Sequence, residues 1–177
     1  MIKSYRSFLF LAAILFMMPF ARAQKYTTKV GFTSFEASLP SLIPVKATDE
    51  TTNAIWDSQS QQFAALIKIE NFDFAIALMQ EHFNENYMES EKFPKASFVG
   101  VLTNELNPEL EGTLSIRGVK KPLVVPVSFE KLRENAYKIS GDFSVKPEDF
   151  NIKIPKIVSY KISKQVDIHF DYILEEK

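Results

Sequence analysis

The fold class is decided by residues 110–129, which read LEGTLSIRGVKKPLVVPVSF. Apolar residues stand at every second position towards Ile116 and again from Leu123 to Phe129, and Gly112 lies on the same face as the first set. Because successive side chains of a strand point to opposite faces, this period of two gives each strand one buried and one solvated face. Such strands are typical of antiparallel sheets.

The same alternation recurs elsewhere in the chain. Residues 137–145, with Gly141 on the apolar face, and residues 166–174 are clear examples. Further strands are predicted at residues 26–32, 54–56, 63–70 and 96–103, with shorter extended pieces at 42–46 and 157–162. Many strands, one helix and no regular alternation of strand with helix predict an all-β barrel or sandwich.

One segment changes period, because apolar residues recur every three or four positions from Ile76 to Tyr87. That spacing predicts a single amphipathic helix. Asp73 is a candidate cap near the start of the helix. We expect the helix to end before Pro94, because the residue that precedes a proline avoids helical backbone angles.

Composition excludes several classes of protein. The 177 residues fit one domain with a substantial core. Lys and Arg number 21 and Asp and Glu 22, and the formal charge of −1 argues against a nucleic-acid partner, because phosphate binding needs a basic face. Since the chain has no cysteine, it has no disulfide, thiolate metal ligand, cysteine nucleophile or lipoprotein anchor.

Residues 1–23 are predicted to be a secretory signal peptide. Basic residues precede an uninterrupted apolar run at 8–20, and ARA at 21–23 has the small residues of a cleavage site. The run is shorter than the roughly 20 residues that span a bilayer, and an uncleaved anchor is the alternative. Cleavage after Ala23 removes three basic residues and no acid, so residues 24–177 form one domain with a charge of −4. We therefore expect an exported protein, periplasmic or secreted, with no stable membrane anchor.

Three stretches resemble the YceI-like family of polyisoprenoid-binding proteins. Residues 82–98, HFNENYMESEKFPKASF, are similar to the family's helix, aromatic pair, aromatic-proline step and following strand. Residues 112–122, GTLSIRGVKKP, are similar to its G-x-L-x-I-x-G-V-x-x-P hairpin. Residues 143–145 and 149–152, FSV and DFNI, are similar to its penultimate strand and the turn that follows. The order and spacing of these motifs carry the resemblance, which covers most of residues 62–174.

The resemblance implies a lipocalin-like, eight-stranded antiparallel barrel with one amphipathic helix. It also implies that the interior binds a long-chain isoprenoid or another amphiphilic lipid, with no other cofactor and no metal. We therefore expect a non-enzymatic protein that sequesters or carries such a lipid. The side chains predicted to line the lipid cavity are Phe63, Ile67, Ile69, Phe83, Tyr87, Phe98, Leu114, Ile116, Val125, Val127, Ile139, Phe143, Ile168 and Phe170.

Two kinds of interior are compatible with the apolar faces. An eight-stranded barrel is just wide enough to be filled by its own side chains or to hold one small ligand. Aromatic residues and methionines on or near the helix would suit a cavity wall, because rings offer large apolar surfaces and methionine adapts to irregular shapes. Gly112 and Gly141 would leave space on the inward faces, although glycines also serve barrel bends.

A filled barrel that acts as a protein-interaction module of the cell envelope is the alternative function. A continuous apolar cavity of ~300 Å³ or more favours a lipid carrier, because ligand sites are usually at least that large. A filled interior with an exposed apolar patch favours a module that binds a protein partner. A monomer and a homodimer are both compatible with the sequence.

Catalysis and metal binding are not expected. Asp167, His169 and Asp171 share one face of the last strand, a spacing that brings their side chains to the same side. A solvated outer face explains them better than a zinc site, because the opposite face of that strand is strongly apolar. The sequence contains no G-x-S-x-G, H-E-x-x-H, P-loop or dinucleotide-binding motif.

Overall fold

The computed structural model describes residues 24–39, 44–103, 106–156 and 162–177. The predicted signal peptide, residues 1–23, lies outside the described residues, as do parts of the extended pieces predicted at 42–46 and 157–162. Among the described residues, no helix is both long enough and apolar enough to cross a bilayer.

The described residues form nine strands: β1 Lys25–Ser38, β2 Lys46–Asp57, β3 Gln62–Lys68, β4 Asp73–Phe74, β5 Lys95–Thr103, β6 Glu109–Ile116, β7 Val119–Arg133, β8 Ala136–Val145 and β9 Ile162–Glu176. In space the order is β1-β9-β8-β7-β6-β5-β3-β2, and β2 pairs with β1 to close the sheet. Every pairing is antiparallel, and β4 pairs with β2 outside the closed set. The expected eight-stranded antiparallel barrel is confirmed, with β4 as an extra strand.

The predicted helix is present as α1, Ala77–His82, and continues as a π-helix over Phe83–Met88. A π-helix has a wider turn than an α-helix and is rare in proteins. The wider turn places Met88 in the core, whereas Tyr87 remains half-buried. Short 3-10 helices at Ile69–Asn71 and Pro147–Phe150 follow β3 and β8.

The prediction that Asp73 caps the helix is wrong. Asp73 lies in β4, where it pairs with Thr48 of β2. Ile76 occupies the N-cap position and makes no capping hydrogen bond with its side chain. The helix therefore begins where its apolar pattern does, and Asp73 lies too far upstream to cap it because it is held in the sheet.

Strand β2 begins far earlier than the predicted start at residue 54. Its inward positions include the buried polar residues Asp49 and Thr52 as well as the apolar Ala47 and Trp56. Polar residues at inward positions conceal the alternation of a strand, because alternation is recognised by apolar residues. The first half of β2 therefore carried no strand signal in the sequence.

The hairpin between β6 and β7 agrees closely with its sequence. Ile116 pairs with Val119, which leaves Arg117 and Gly118 as a two-residue turn. Both residues have positive φ, 49° and 74°, as a type I′ turn requires. Glycine adopts such angles without steric cost, and this turn sets the register of the two strands.

The two ends of the barrel are closed by different means. At the end where β1 begins and β9 finishes, neighbouring rings of Tyr26, Trp56, Phe129 and Tyr137 have centroids 4.9–5.3 Å apart, and we call these four residues the aromatic plug. The helix covers the opposite end. There its apolar side chains pack in a cluster that contains Phe35, Ala47, Ile67, Phe72, Phe74, Met79 and Phe83.

Candidate functional site

The barrel interior contains an apolar cavity between the aromatic plug and the end covered by the helix. Its volume is ≈ 60 Å³. Seven of the barrel strands contribute to its wall, which is formed by Thr33, Phe63, Ala65, Ile67, Ala96, Ser97, Phe98, Leu110, Leu114, Leu123, Val125, Phe143, Ile168, Phe170 and Tyr172.

Eight of the fourteen predicted site residues line this cavity: Phe63, Ile67, Phe98, Leu114, Val125, Phe143, Ile168 and Phe170. They come from six strands that are far apart in the sequence. The structure therefore brings these residues around one space, and their contact with a lipid remains a prediction.

The other six predicted residues do not line the cavity. Ile69 and Ile116 pack with Met88 in a separate cluster. Phe83 contacts both that cluster and the one under the helix, while Val127 and Ile139 belong to the main core. Tyr87 is half-buried and belongs to none of these three clusters of described residues. The alternation identified inward faces correctly, but it carries no information about height along the barrel axis.

Several cavity residues were not among the predicted site residues. Leu110, Leu123 and Tyr172 lie on the alternating apolar faces that the sequence predicts. The register of neighbouring strands places them at the level of the cavity. Thr33 gave no signal because an inward hydroxyl resembles a residue of the solvated face, and Ser97 gave none because it alternates with the inward Ala96 and Phe98. Small alanines at 65 and 96 were likewise overlooked.

Aromatic rings occupy the space beside the two inward glycines. A Cβ atom added to Gly112 would lie 2.8 Å from Cζ of Phe98, and one added to Gly141 would lie 3.0 Å from Cζ of Phe170. The glycines thus permit close approach of these rings. The interior that remains open is small because the rings fill what the glycines leave.

A buried chain of hydroxyl groups begins at the cavity wall. Thr52 donates a hydrogen bond to the carboxylate of Asp49 at 2.6 Å. Its Oγ1 lies 2.8 Å from Oγ1 of Thr33, which in turn lies 2.9 Å from the hydroxyl of Tyr172. Because Thr52 uses its one hydrogen on Asp49, Thr33 must donate to Thr52 and Tyr172 to Thr33. All four side chains are at most 3% exposed.

The orientation of this chain determines what Tyr172 offers. Its hydrogen is directed towards Thr33, so its oxygen retains only acceptor capacity. Burial raises the pKa of Tyr172 to about 12, and hydrogen bonding with Thr33 and Thr52 offsets part of that rise. Burial therefore keeps the phenol of Tyr172 neutral at the wall of the apolar cavity over the whole physiological pH range.

A second and larger space adjoins the cavity on the outside of the barrel. This cleft has a volume of ≈ 700 Å³ and is bordered by β1, β2, β4, β8 and β9. Phe143 and Ile168 line both the cleft and the interior cavity, and they are direct cross-strand partners. The cavity and the cleft therefore meet at these two residues of the paired strands β8 and β9.

The polar face of β9 is engaged with neighbouring strands. Asp167 accepts a hydrogen bond from Ser144 at 2.6 Å, and His169 lies 2.8 Å from Asp142. Asp171 forms an ion pair with Lys138 at 2.7 Å, and this hydrogen bond raises the pKa of Lys138. Over the described parts of the chain, no group of three His, Asp or Glu side chains is arranged to hold a metal ion.

The three motif stretches meet at Arg117. Its guanidinium donates hydrogen bonds to the carboxylate of Glu89 and to the backbone carbonyl of Asn151. It also lies over the ring of Phe93, 5.6 Å from the centroid. Glu89 and Phe93 belong to the first motif, Arg117 to the second and Asn151 to the third. These motifs therefore brace the fold beneath the helix and do not form the cavity wall by themselves.

Comparison with known proteins agrees with this architecture. The model of the YceI-like domain matches residues 22–174. A polyisoprenoid-binding domain from Saccharophagus degradans has a TM-score of 0.73 at 12% identity, with 88% of this chain and 100% of that chain covered. BcnA from Burkholderia cenocepacia has a TM-score of 0.68 at 18% identity, with 81% and 95% covered. The YceI protein of Campylobacter jejuni has 0.65 at 18%, with 78% and 89% covered.

None of the curated proteins compared matches this chain. At these identities, the solved structures show a shared fold. The family match is broader than the motifs that first suggested it, because it also includes β1 and β2. Because it extends over most of the sequence, this chain belongs to the YceI-like family.

Proposed function

We propose that this protein binds a long-chain isoprenoid or a similar amphiphilic lipid in its barrel interior, and that it sequesters or carries the lipid without catalysis. The carrying observation is the apolar cavity in the barrel interior, which shares Phe143 and Ile168 with a cleft open to solvent. Membership of the YceI-like family supports the proposal, and one structural neighbour is described as a polyisoprenoid-binding domain.

Binding requires the interior to expand. A cavity of ≈ 60 Å³ is well below the roughly 300–1,000 Å³ of a ligand site, so the rings of Phe98, Phe143 and Phe170 must move aside for a lipid tail. Phe98 and Phe143 are only half-buried, which lowers the cost of their displacement. Burial of the tail then supplies the affinity, at about 25 cal/mol for each Å² of apolar surface removed from water.

Native mass spectrometry of the delipidated protein with geranylgeraniol tests this function. We expect a complex of one lipid with one chain. Ala65→Leu should weaken binding, because Ala65 lines the cavity and the added atoms occupy its space. Ala64→Leu on the opposite face of β3 is the matched control and should bind as the original chain does. Absence of a complex with the original chain would reject the proposal.

A second candidate function, self-association, is favoured by a mainly apolar row of residues on the outer face of the barrel. Ile55, Ala64, Val99, Thr113 and Pro122 are successive cross-strand partners on β2, β3, β5, β6 and β7. Val99 is 60% exposed. A module that binds a protein partner is also expected to have a filled interior, and the cavity volume is small. Such a row could pair two copies of the chain.

The test of this second function is the oligomeric state. Sedimentation velocity should show a dimer that Val99→Asp converts to a monomer. A monomeric original chain would exclude this homodimer and leave lipid binding as the function.

We also propose that residues 1–23 direct export and are removed. The apolar run at 8–20 and the small residues at 21 and 23 support this proposal. N-terminal sequencing of the protein from its native host should find Gln24 as the first residue. A first residue upstream of Gln24, in protein retained inside the cell, would contradict it.

A further inference from the structure

The outer cleft has the composition of a site for a polar head group. Its floor is apolar where Phe143 and Ile168 border the interior cavity, and Phe32 and Phe35 extend this apolar surface. Its remaining wall is polar. An amphiphile whose tail lies against Phe143 and Ile168 would place its head in this space of ≈ 700 Å³.

Charge in the cleft is predominantly negative. Among the lining residues that the structure describes, the ionisable groups are the carboxylates of Glu36, Asp73, Asp142 and Asp167, the ammonium of Lys46 and the imidazole of His169. Glu36 and Asp167 are direct cross-strand partners on β1 and β9. Like charges placed opposite each other repel, and a negatively charged head group beside them would add to that repulsion.

The hydrogen-bonding capacity of the cleft is rich in acceptors. An ionised carboxylate only accepts hydrogen bonds. Ser144 already donates its hydroxyl hydrogen to Asp167. Because these carboxylates outnumber the one ammonium group, of Lys46, the wall favours a head group that donates hydrogen bonds. A phosphate or diphosphate offers mainly acceptors and negative charge, whereas an alcohol offers a donor without charge.

We infer that the cleft receives an uncharged, hydroxyl-bearing head group and discriminates against an anionic one, so that the protein selects a prenyl alcohol over a prenyl phosphate. This inference rests on the proposed binding of a lipid tail in the interior. It adds a site outside the barrel, between β1, β2, β8 and β9, that recognises the polar end of the ligand.

The experiment compares two ligands with the same tail, geranylgeraniol and geranylgeranyl diphosphate. Their dissociation constants are measured by titration of the delipidated protein. At low ionic strength the alcohol should bind about tenfold or more tightly than the diphosphate. At about 1 M salt this ratio should fall, because exposed charges are screened over a few ångströms.

The double variant Glu36→Gln with Asp167→Asn should bind the diphosphate more tightly. The ratio of the diphosphate's dissociation constant to that of the alcohol should therefore fall. Glu111→Gln with Glu130→Gln also removes two exposed carboxylates, but from strands away from the cleft, and should leave the ratio unchanged. Three outcomes would reject the head-group inference and leave the proposed lipid binding intact. They are equal affinities for the alcohol and the diphosphate, tighter binding of the diphosphate, and the same ratio of dissociation constants in both double variants. If neither ligand binds, the proposed lipid function fails, and the head-group site fails with it.

Discussion

At the scale of single residues, Tyr172 connects the cavity wall to a buried carboxylate. Its ring also lies where Gly31 of β1 approaches it, and a Cβ atom at Gly31 would come within 2.5 Å of Cδ1 of Tyr172. The register of β1 shifts on both sides of Gly31. Glycine is needed here because any larger side chain would push the ring away from Thr33 and break the hydroxyl chain.

Stability should decline at alkaline pH because of Tyr172. Its pKa is raised from 10.0 to about 12 in the folded chain, so the unfolded chain loses this proton more readily. The stabilising effect is complete below pH 10.0 and is lost as pH rises towards about 12. At about 1.4 kcal/mol per unit of pKa, the loss amounts to roughly 3 kcal/mol.

Urea unfolding measured between pH 9 and 12 checks this prediction for the original chain and Tyr172→Phe. The variant should show a shallower decline, because it has no phenol to ionise at this site. Burial also raises the pKa of Tyr26, so part of the decline should persist in the variant. Parallel declines in the two proteins would contradict the assignment to Tyr172.

At the scale of elements, Arg117 holds together three parts of the chain that do not belong to one strand pair. It lies in the turn between β6 and β7, and it contacts Glu89 at the end of the π-helix and Asn151 after the second 3-10 helix. Its side chain is 11% exposed. The helix that covers the barrel is thus anchored by one side chain beneath it.

Arg117→Met should destabilise the fold by about 2 kcal/mol, because a largely buried Arg makes hydrogen bonds that water cannot replace in full. Arg133→Met is the matched control. Arg133 also pairs with a glutamate, Glu175, but both side chains are more than half exposed, so the expected loss is below about 1 kcal/mol. Chemical denaturation of both variants measures the difference. Equal losses would show that Arg117 does not brace these elements.

At the scale of the whole molecule, the two ends and the side of the barrel have different roles. The aromatic plug and the helix close the ends, and the boundary between cavity and cleft lies in the side wall at Phe143 and Ile168. The ring of Phe143 lies 6.4 Å from that of Phe170, so displacement of one ring opens space beside the other. Entry at this wall leaves both ends packed and requires the pairing of β8 with β9 to open locally.

Phe143→Ala should therefore accelerate uptake of a fluorescent prenyl alcohol in stopped-flow experiments, because it removes half of the boundary. Stability should fall by about 2 kcal/mol, since the ring is only partly buried. Phe129→Ala is the control: its ring is also half-buried, but it belongs to the aromatic plug. This control should lose similar stability without faster uptake. Equal acceleration in both variants would place the entry elsewhere.

The sequence predicted much of the barrel because its signals are local. Alternation along β6, β7 and β8 identified their inward faces, and the hairpin at Arg117-Gly118 has the register expected of its two-residue turn. The first half of β2 escaped prediction because buried Asp49 and Thr52 interrupt the apolar pattern. Asp49 accepts a hydrogen bond from Thr52, and Thr52 in turn bonds to Thr33, which is distant in the chain and which no local pattern reveals.

By itself, the sequence determined most of the strands, the single helix, the apolar faces and the family motifs, because each depends on residues close together in the chain. Only the tertiary structure decided which inward residues border the cavity, how small that cavity is, and that Phe143 and Ile168 line both the cavity and the cleft. The physical reason is that a cavity is the space left between side chains of strands far apart in sequence. Its volume depends on how rings such as Phe98 and Phe170 pack against opposing glycines.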